Sequence, residues 1–319
     1  MSVLAHRHFT APAAGPKLLI TGGVHGDEFE PMEAIRALIS QLDSMQTILS
    51  SGELTLVPCV NEAAFLRGHR TASDGLDLAR VCPGRADGSV TERTAAALSE
   101  LIQRADFYID LHTGGTEHSV QPMTGYTLHK KPEVLFAQRK MALAFDLPIL
   151  WGTAGNLDGR SLSVARDANV PAIYTEFLGG ARCSPNGVRD YIRGCENVMK
   201  LLGLVAPSEA TSSTVSLADH RVELIIEDPR DGSGHMQVCN PSPIDGYFQT
   251  SVDLGDEIHA GDLFGTVASL LGDELHQIIA AYSGRVHVLR TFPRVHRDES
   301  VGVILDTAAE YRKTIEDWE

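Results

Sequence analysis

The chain has 319 residues, of which 43% are hydrophobic and 22% charged, and its formal net charge at pH 7 is −15. This length allows a large buried core and two domains, and the composition is ordinary for a soluble globular protein. The acidic balance argues against nonspecific binding to nucleic acid and against binding to an anionic membrane surface. An anionic small-molecule substrate would therefore need a local cluster of arginines.

The cysteines and the N-terminus bear on the cellular compartment. The five cysteines are odd in number and form no CxxC pair, which is typical of reduced thiols rather than of a disulfide framework. The N-terminus lacks a basic region followed by a long apolar core, and no stretch approaches the ~20 apolar residues of a membrane span. The sequence therefore predicts a soluble, cytoplasmic protein.

Short apolar runs alternate with longer amphipathic ones over residues 17–200. In chain order, the patterns predict a strand at KLLITGG (17–23), a helix at EPMEAIRALISQLDS (30–44), a strand at GELTLVPCVN (52–61), a helix at TERTAAALSELIQRA (91–105) and a strand at DFYIDLHTGG (106–115). They then predict a helix at PEVLFAQRKMALAFD (132–146), a short apolar segment LPILWG (147–152), a strand at VPAIYTEFLGG (170–180) and a helix at NGVRDYIRGCENVMKLLGL (186–204). This alternation indicates an α/β fold with a mostly parallel sheet that is flanked by helices on both faces.

The composition changes at VAPSEATSST (205–214), which is small, polar and linker-like. Beyond it, short strands with turn signals predict a small β-rich module. We therefore expect a catalytic domain over residues 1–206 and a β-rich, barrel-sandwich-like C-terminal domain over residues 215–319. Its stretch GYFQTSVDLGDEIHAGDLFGTV resembles the hairpins of biotinyl and lipoyl domains. No lysine occurs between Lys200 and Lys313, which excludes a carrier that attaches its prosthetic group through lysine.

Residue types that bind metals follow three of the predicted strands. His25 and Glu28 lie three residues apart in LLITGGVHGDEFE, a spacing at which both side chains can face one point. His112 lies where a strand runs into a glycine turn, and Asp110 shares its strand face as a candidate outer partner. Glu176 likewise follows the apolar run of its strand, beside glycines. Alone, an HxxE pattern also fits a solvated turn, and a buried histidine can be satisfied by a backbone carbonyl.

Open parallel sheets bind their ligands outside the carboxyl ends of their strands, where all of these side chains are predicted to lie. A catalytic zinc site usually has three ligands of the His, Glu or Asp type and keeps a fourth position for water. Taken together, the motifs therefore predict a metal site rather than isolated turns.

The motifs GGVHGDE, DLHTGG and TEFLGG, in this order and spacing, resemble the succinylglutamate desuccinylase/aspartoacylase family, a branch of the zinc carboxypeptidase superfamily. The resemblance extends over roughly residues 17–200, and NEAAFLRGHRTASDGLDLARVCPG is similar to the family's substrate-binding segment. It implies one zinc ion per chain on His25, Glu28 and His112, with Glu176 as general base and acid. It also implies that the C-terminal domain shapes the active-site entrance or takes part in oligomerisation.

The same resemblance assigns arginines to the substrate. Arg70 matches the arginine expected to stabilise a tetrahedral oxyanion, and Arg80 matches the one expected to grip a substrate carboxylate. Arg67 is a further substrate-binding candidate, for which a surface position is the alternative. This chain has Asp-Leu-Ala-Arg at residues 77–80, where the family commonly has Asp-Leu-Asn-Arg. Because the side chain of Ala79 cannot donate a hydrogen bond, either the substrate differs or another residue fills the gap.

The leading hypothesis is a zinc-dependent amidohydrolase that removes an acyl group from an N-acyl amino acid or a related small amine by metal-activated water. One alternative is a zinc carboxypeptidase that acts on peptides. Another is a non-catalytic, metal-containing binding protein, which Ala79 alone favours. We expect a small-molecule N-acyl substrate as partner, no nucleic acid and no membrane, and we leave homo-oligomerisation open.

Overall fold

The structure is a computed structural model, which describes residues 4–206 and 221–318. Its strands form an 11-stranded mixed sheet and a separate four-stranded sheet. The strands of the large sheet are β1 (Arg7–Thr10), β2 (Ala13–Gly22), β3 (Ser51–Val57), β4 (Phe107–Leu111), β5 (His118–Thr127), β6 (Ile149–Thr153), β7 (Ala172–Gly179), β8 (Leu224–Asp228), β10 (Glu257–Ile258), β13 (Gly284–Arg290) and β15 (Gly302–Leu305). The small sheet contains β9 (Gly246–Thr250), β11 (Leu263–Ala268), β12 (Leu275–Ile279) and β14 (Arg294–Val295).

Helices cover both faces of the large sheet. They are α1 (Phe29–Asp43), α2 (Glu62–Phe65), α3 (Val90–Arg104), α4 (Pro132–Phe145), α5 (Ser161–Ala168) and α6 (Pro185–Leu201). Alternate residues of β2 enter two different cores: Leu18 and Ile20 pack with α1, α4 and α6, whereas Leu19 packs with α3 and α5. Within residues 4–206 and 221–318, no helix has the length and apolar character that a membrane crossing requires.

The predicted α/β architecture is confirmed, with a sheet that is mixed rather than wholly parallel. The strands β3, β2, β4 and β7 are adjacent and parallel, so their carboxyl ends meet at one edge. The sequence patterns did not predict β1, β5 or α5. Strand β5 runs antiparallel to β7 and carries an irregularity between Val120 and Met123. Gln121 and Pro122 lie at that irregularity and interrupt the apolar pattern from which a strand could have been predicted.

The C-terminal part extends the large sheet as well as forming the small one. Strand β8 pairs in parallel with β6, and β13 pairs antiparallel with β5. Residues 207–214, which are most of the predicted linker, lie outside the described residues. The boundary between the two predicted domains therefore stays a prediction. The strand pairing shows that strands after residue 220 belong to the large sheet, which carries the candidate site.

One buried histidine lies at the junction of β13 and β5. His287 is completely buried, with its Nε2 atom 3.1 Å from the sulfur of Met123 and its ring edge-on to Trp151 at 5.5 Å. Its Nδ1 atom has no hydrogen-bond partner among the described residues. Burial, with a smaller contribution from Arg285, lowers the pKa of His287 to about 3.

We predict that His287 makes the fold less stable in mild acid. Below pH 6.5 the unfolded chain binds a proton at this histidine that the folded chain does not, so the folded state loses stability as the pH falls. Between pH 8 and pH 5 this group should account for about 2 kcal/mol of the free energy of unfolding. Denaturant unfolding of the wild type and of His287→Leu at both pH values measures the difference.

The matched control is His259→Leu, which removes an exposed imidazole from the same part of the chain. An equal loss of stability in the wild type and in His287→Leu would contradict the prediction.

Candidate active site

The loop between β2 and α1 places His25 and Glu28 at the edge where the parallel strands end. Gly23 has a φ of +65°, in the left-handed region that favours glycine, and the chain turns sharply there. Gly26 lies against the backbone of Ala64, where an added Cβ would be 2.1 Å from a carbonyl carbon. The two glycines therefore allow the tight loop from which His25 and Glu28 point in one direction.

The carboxylate of Glu28 lies between two imidazoles. Its Oε1 is 2.7 Å from Nδ1 of His25, and its Oε2 is 3.0 Å from Nδ1 of His112, which follows β4 directly. All three side chains are buried, and one ligand atom from each lies within 4.8 Å of the others. The structure thus brings together the three residues that the sequence predicts as metal ligands.

Each histidine is held from behind by a further carboxylate. Nε2 of His25 is 3.1 Å from Oδ1 of Asp77, and Nε2 of His112 is 3.1 Å from Oδ2 of Asp110. Asp110 also accepts hydrogen bonds from Thr21 and Ser161. This arrangement fixes both rings with Nδ1 towards Glu28, as is usual for histidines that bind metals.

The charge of this cluster fits a divalent cation. Burial alone would raise the pKa of Glu28, but His25 and His112 outweigh it and lower that pKa to about 2. The pKa values of Asp77 and Asp110 are also lowered against their burial, by Arg70 and by His112 respectively. Against their burial, the neighbouring carboxylates raise the pKa values of His25 and His112, so without an ion both rings are protonated and, with Arg70, balance the three ionised carboxylates. A divalent ion on Nδ1 of each histidine and on Glu28 would release these two protons and supply the same two positive charges.

Glu176 lies beside this cluster, on β7, one residue beyond the last pair that β7 forms with β4. Its side chain is buried, and its Oε2 atom has no hydrogen-bond partner among the described residues. Burial raises the pKa of Glu176 to about 7, and the negative charge of Glu28 adds to this while His112 opposes it. A carboxyl group with such a pKa can both accept and donate a proton near neutral pH.

A cavity of about 740 Å³ opens in front of these residues. Among the residues that line it are Arg70, Arg80 and Arg160, together with Arg290 and Arg294 from the C-terminal part. A volume of this size suits a small molecule.

The arginines differ in how far their charges are already paired. Arg70 donates from Nε and Nη2 to Asp77, at 3.2 and 3.0 Å, and its Nη1 has no partner among the described residues. Within the described part of the chain, Arg80 forms hydrogen bonds to uncharged oxygens, those of Ala79 and Gln237. Burial, the neighbouring guanidinium of Arg160 and that of Arg70 lower the pKa of Arg80 to about 10 although Asp77 opposes them. Arg80 and Arg160 therefore form a desolvated positive pair that would attract a carboxylate.

The structure does not bring Arg67 to the cavity. Its side chain is exposed, and its guanidinium donates to the backbone carbonyls of Thr71 and Ala72. These bonds tie the loop that carries Arg70 to its own backbone. The substrate-binding role expected for Arg67 therefore has no support in the geometry.

Several residues of the site were missed by sequence reasoning. The contact of Asp77 with His25 spans 52 positions, and nothing in the local pattern signals it. Arg160 follows a turn that carries no recognisable binding motif. Gln237 belongs to the C-terminal part, from which no site residue was expected. The amide oxygen of Gln237 accepts a hydrogen bond from the guanidinium of Arg80, which also donates to the backbone oxygen of Ala79. Arg80 thus links this amide to the alanine that stands in place of the family asparagine.

Comparison with known proteins identifies one family. The profile of the succinylglutamate desuccinylase/aspartoacylase catalytic domain matches residues 14–202. The N-alpha-acetyl-L-2,4-diaminobutyric acid deacetylase of Halomonas elongata is 29% identical over 299 residues, which cover 92% of this chain and 82% of that protein.

Solved structures share the whole architecture. The product-bound ectoine utilization protein EutE (DoeB) from Ruegeria pomeroyi superposes with a TM-score of 0.80 at 26% identity, covering 94% of this chain and 87% of that chain. A succinylglutamate desuccinylase/aspartoacylase from Rhodobacter sphaeroides gives a TM-score of 0.79 at 24% identity, with coverage of 94% and 88%. At 24% identity, the similarity to the Rhodobacter sphaeroides protein supports a shared fold only.

We predict that Asp110→Asn weakens the binding of a divalent ion by about 10- to 100-fold, because the carboxylate that orients His112 and increases its basicity is lost. Titration of metal-stripped protein in competition with a chromophoric chelator measures the affinity. Asp106→Asn, at an exposed position just before the same strand, is the matched control. Equal affinities of the Asp110 variant and the wild type would show that this carboxylate does not support the site.

Proposed function

The chain belongs to the succinylglutamate desuccinylase/aspartoacylase family, and on that premise we propose that it is a zinc-dependent deacylase of N-acyl amino acids or related small amines. The observation that carries the proposal is a buried His-Glu-His cluster beside the buried carboxyl group of Glu176, with Arg80 and Arg160 lining the same cavity. These are the groups that hydrolysis of an amide bearing a carboxylate requires.

In this proposal Nδ1 of His25, Nδ1 of His112 and the carboxylate of Glu28 would hold a zinc ion. When bound there, zinc polarises the scissile carbonyl and lowers the pKa of water. Nitrogen and carboxylate ligands suit zinc, and three protein ligands leave a position open, as in catalytic sites. Asp77 and Asp110 keep the two imidazoles in the orientation that this binding needs.

Glu176 is the proposed proton carrier. Its unpaired Oε2 takes a proton from the attacking water as the water oxygen bonds to the acyl carbon. When the carbon–nitrogen bond breaks, the same carboxyl group returns the proton to the leaving amine. The products are a carboxylic acid and a free amine, so one water is consumed per bond cleaved.

Different arginines are proposed to bind the two negatively charged groups of the substrate, the oxyanion and the carboxylate. Arg70 is held by Asp77 through two nitrogens, and its free Nη1 is the proposed donor to the oxyanion that forms during attack. Arg80 and Arg160 are the proposed site for the carboxylate of the amino acid. The amide of Gln237 supplements them, which fills the gap left by Ala79.

The cavity favours small substrates over peptides. Arg290 and Arg294 contribute to its lining from the C-terminal part, and its volume of about 740 Å³ suits a small molecule. The relative that deacetylates N-alpha-acetyl-L-2,4-diaminobutyric acid makes N-acetylated amino acids the first substrates to test.

We predict hydrolysis of one or more members of a panel containing Nα-acetyl-L-2,4-diaminobutyrate, N-acetyl-L-glutamine, N-acetyl-L-aspartate and N-succinyl-L-glutamate. The carboxylic acid released is measured by mass spectrometry. N-acetyl-1,3-diaminopropane, which lacks the α-carboxylate, should be a poor substrate because it cannot engage Arg80 and Arg160. Hydrolysis of dipeptides in preference to the panel would instead favour a carboxypeptidase.

We predict that Glu176→Gln lowers kcat by about 10²- to 10⁴-fold while the bound metal stays at the wild-type level. The amide keeps the shape of the side chain but cannot accept and return a proton. Glu133→Gln, at an exposed position in the first turn of α4, is the matched control. A Glu176→Gln enzyme that turns over at the wild-type rate would rule out this residue as the base.

A wild type that binds metal but hydrolyses nothing would favour the binding-protein alternative.

A further inference from the structure

His118 lines the cavity and has no part in the mechanism proposed above. It is the first residue of β5, and its Nε2 atom is 3.2 Å from the backbone oxygen of Ser300. Because a carbonyl oxygen can only accept, Nε2 carries the hydrogen of this bond, and the neutral ring keeps a lone pair on Nδ1. No described residue forms a hydrogen bond to that Nδ1. The imidazole of this lining residue therefore has Nδ1 as its acceptor nitrogen, and the C-terminal part sets this tautomer through the oxygen of Ser300.

Backbone hydrogen bonds fix His118 to the glycine turns that follow His112 and Glu176. Its nitrogen donates to the oxygen of Gly114 at 3.1 Å, and its oxygen accepts from the nitrogen of Gly180 at 3.0 Å. A Cβ added to Gly114 would lie 2.3 Å from the His118 oxygen, and one added to Gly179 would lie 2.4 Å from it. The glycines after His112 and after Glu176 therefore allow His118 to approach, and they fix its position relative to the cluster.

The C-terminal part fixes the same segment from the opposite side. Arg290 pairs with His118 in the register of β13 and β5, and its buried guanidinium contacts Glu117 and Glu299 at 3.3 and 3.0 Å. The backbone nitrogen of Thr291 donates to the oxygen of Glu117 at 2.9 Å. Both neighbouring carboxylates are engaged by arginine, and His118 contributes an uncharged polar group to this part of the cavity wall.

Burial and the charge of Arg290 lower the pKa of His118, against the hydrogen bond to Ser300, which raises it. A neutral imidazole with Nε2–H already bonded can offer only a lone pair to a ligand. A carboxylate, which also offers only lone pairs, has no favourable contact there. An N–H group of an amide or an amine does.

We propose that His118 is a specificity-determining residue that binds the substrate by accepting, on Nδ1, a hydrogen bond from an N–H donor in the substrate's side chain. The inference rests on the proposed deacylase function and narrows its substrate class. The substrate would present its α-carboxylate to Arg80 and Arg160, and an amide or amine side chain to His118. N-acyl amino acids with a second carboxylate in the side chain would be disfavoured.

The test uses two variants, each of which keeps one of the two hydrogen-bonding positions of the imidazole. In His118→Asn the amide oxygen can take the place of Nδ1, whereas in His118→Gln the amide N–H can take the place of Nε2. N-acetyl-L-glutamine and N-acetyl-L-glutamate are the probes, because they are nearly equal in shape and differ in an N–H donor against a carboxylate. We measure kcat and KM for both probes, with melting temperature and metal content as checks on folding.

The wild type should prefer the glutamine probe in kcat/KM by about tenfold or more, the usual effect of one hydrogen bond to a buried partner. His118→Asn should keep most of that preference. His118→Gln should lose it mainly through KM while retaining the wild-type melting temperature and metal content. A Gln variant with unchanged preference, or a wild type that prefers the glutamate probe, would overturn the proposal.

A readout that does not depend on turnover separates this inference from the deacylase function. In protein labelled with [¹⁵N]histidine, with His118 assigned from the Asn variant, N-acetyl-L-glutamine should shift the Nδ1 signal upfield, as hydrogen bonding does to an acceptor nitrogen. A shift without hydrolysis would leave the His118 contact standing and remove the deacylase function. Hydrolysis of the glutamine probe without a shift would keep the deacylase and reject the contact. Neither hydrolysis nor a shift would reject both.

Discussion

The buried carboxylate of Glu28, shared between the Nδ1 atoms of His25 and His112, is the contact on which the rest of the site depends. An ionised carboxylate in such a position is costly unless positive charge accompanies it. Its surroundings add more carboxylates, Asp77 and Asp110, and the guanidinium of Arg70, which is paired with Asp77. Without an ion, protons on His25 and His112 balance the remaining negative charge; a divalent cation can take the place of these two protons, which is the physical reason for placing one there.

The fold serves this cluster by bringing distant segments to one edge of the sheet. His25 and His112 follow parallel strands, and Glu176 lies just past the parallel ladder between β4 and β7. The antiparallel strand β5 and the C-terminal strand β13 then continue the sheet around the cavity. Because His118 and Arg290 pair across these two strands, the C-terminal part contributes to the cavity wall and is joined to the catalytic sheet.

The sequence predicted those features that depend on neighbouring residues. The alternation of strands and helices over residues 17–200 follows from apolar periodicity, and the ligand motifs were visible because they follow strands beside glycines. Strand β5 was missed because Gln121, Pro122 and Gly125 break its pattern. The joining of β8 and β13 to the large sheet was missed because strand pairing between remote segments leaves no local signal.

The site shows the same division between local and long-range information. The side-chain cluster of His25, Glu28 and His112 has the composition and compactness expected from the motifs, whereas the support of His25 by Asp77 arises only from folding. Arg67 and Arg70 look alike in the sequence, yet only Arg70 lines the cavity, because Arg67 bonds to the backbone of its own loop. Arg160 and Gln237 enter the site from segments that show no pattern of a binding site.

The central claim is that these three side chains hold a metal ion, and metal content per chain tests it most directly. The full chain, purified without added metal or chelator, would be analysed by plasma mass spectrometry beside His25→Ala. The account predicts about one zinc ion per wild-type chain and a loss of it in the variant. A wild type that holds no metal even after incubation with zinc would contradict it. The carboxylate between the two histidines would then be neutralised by protons alone.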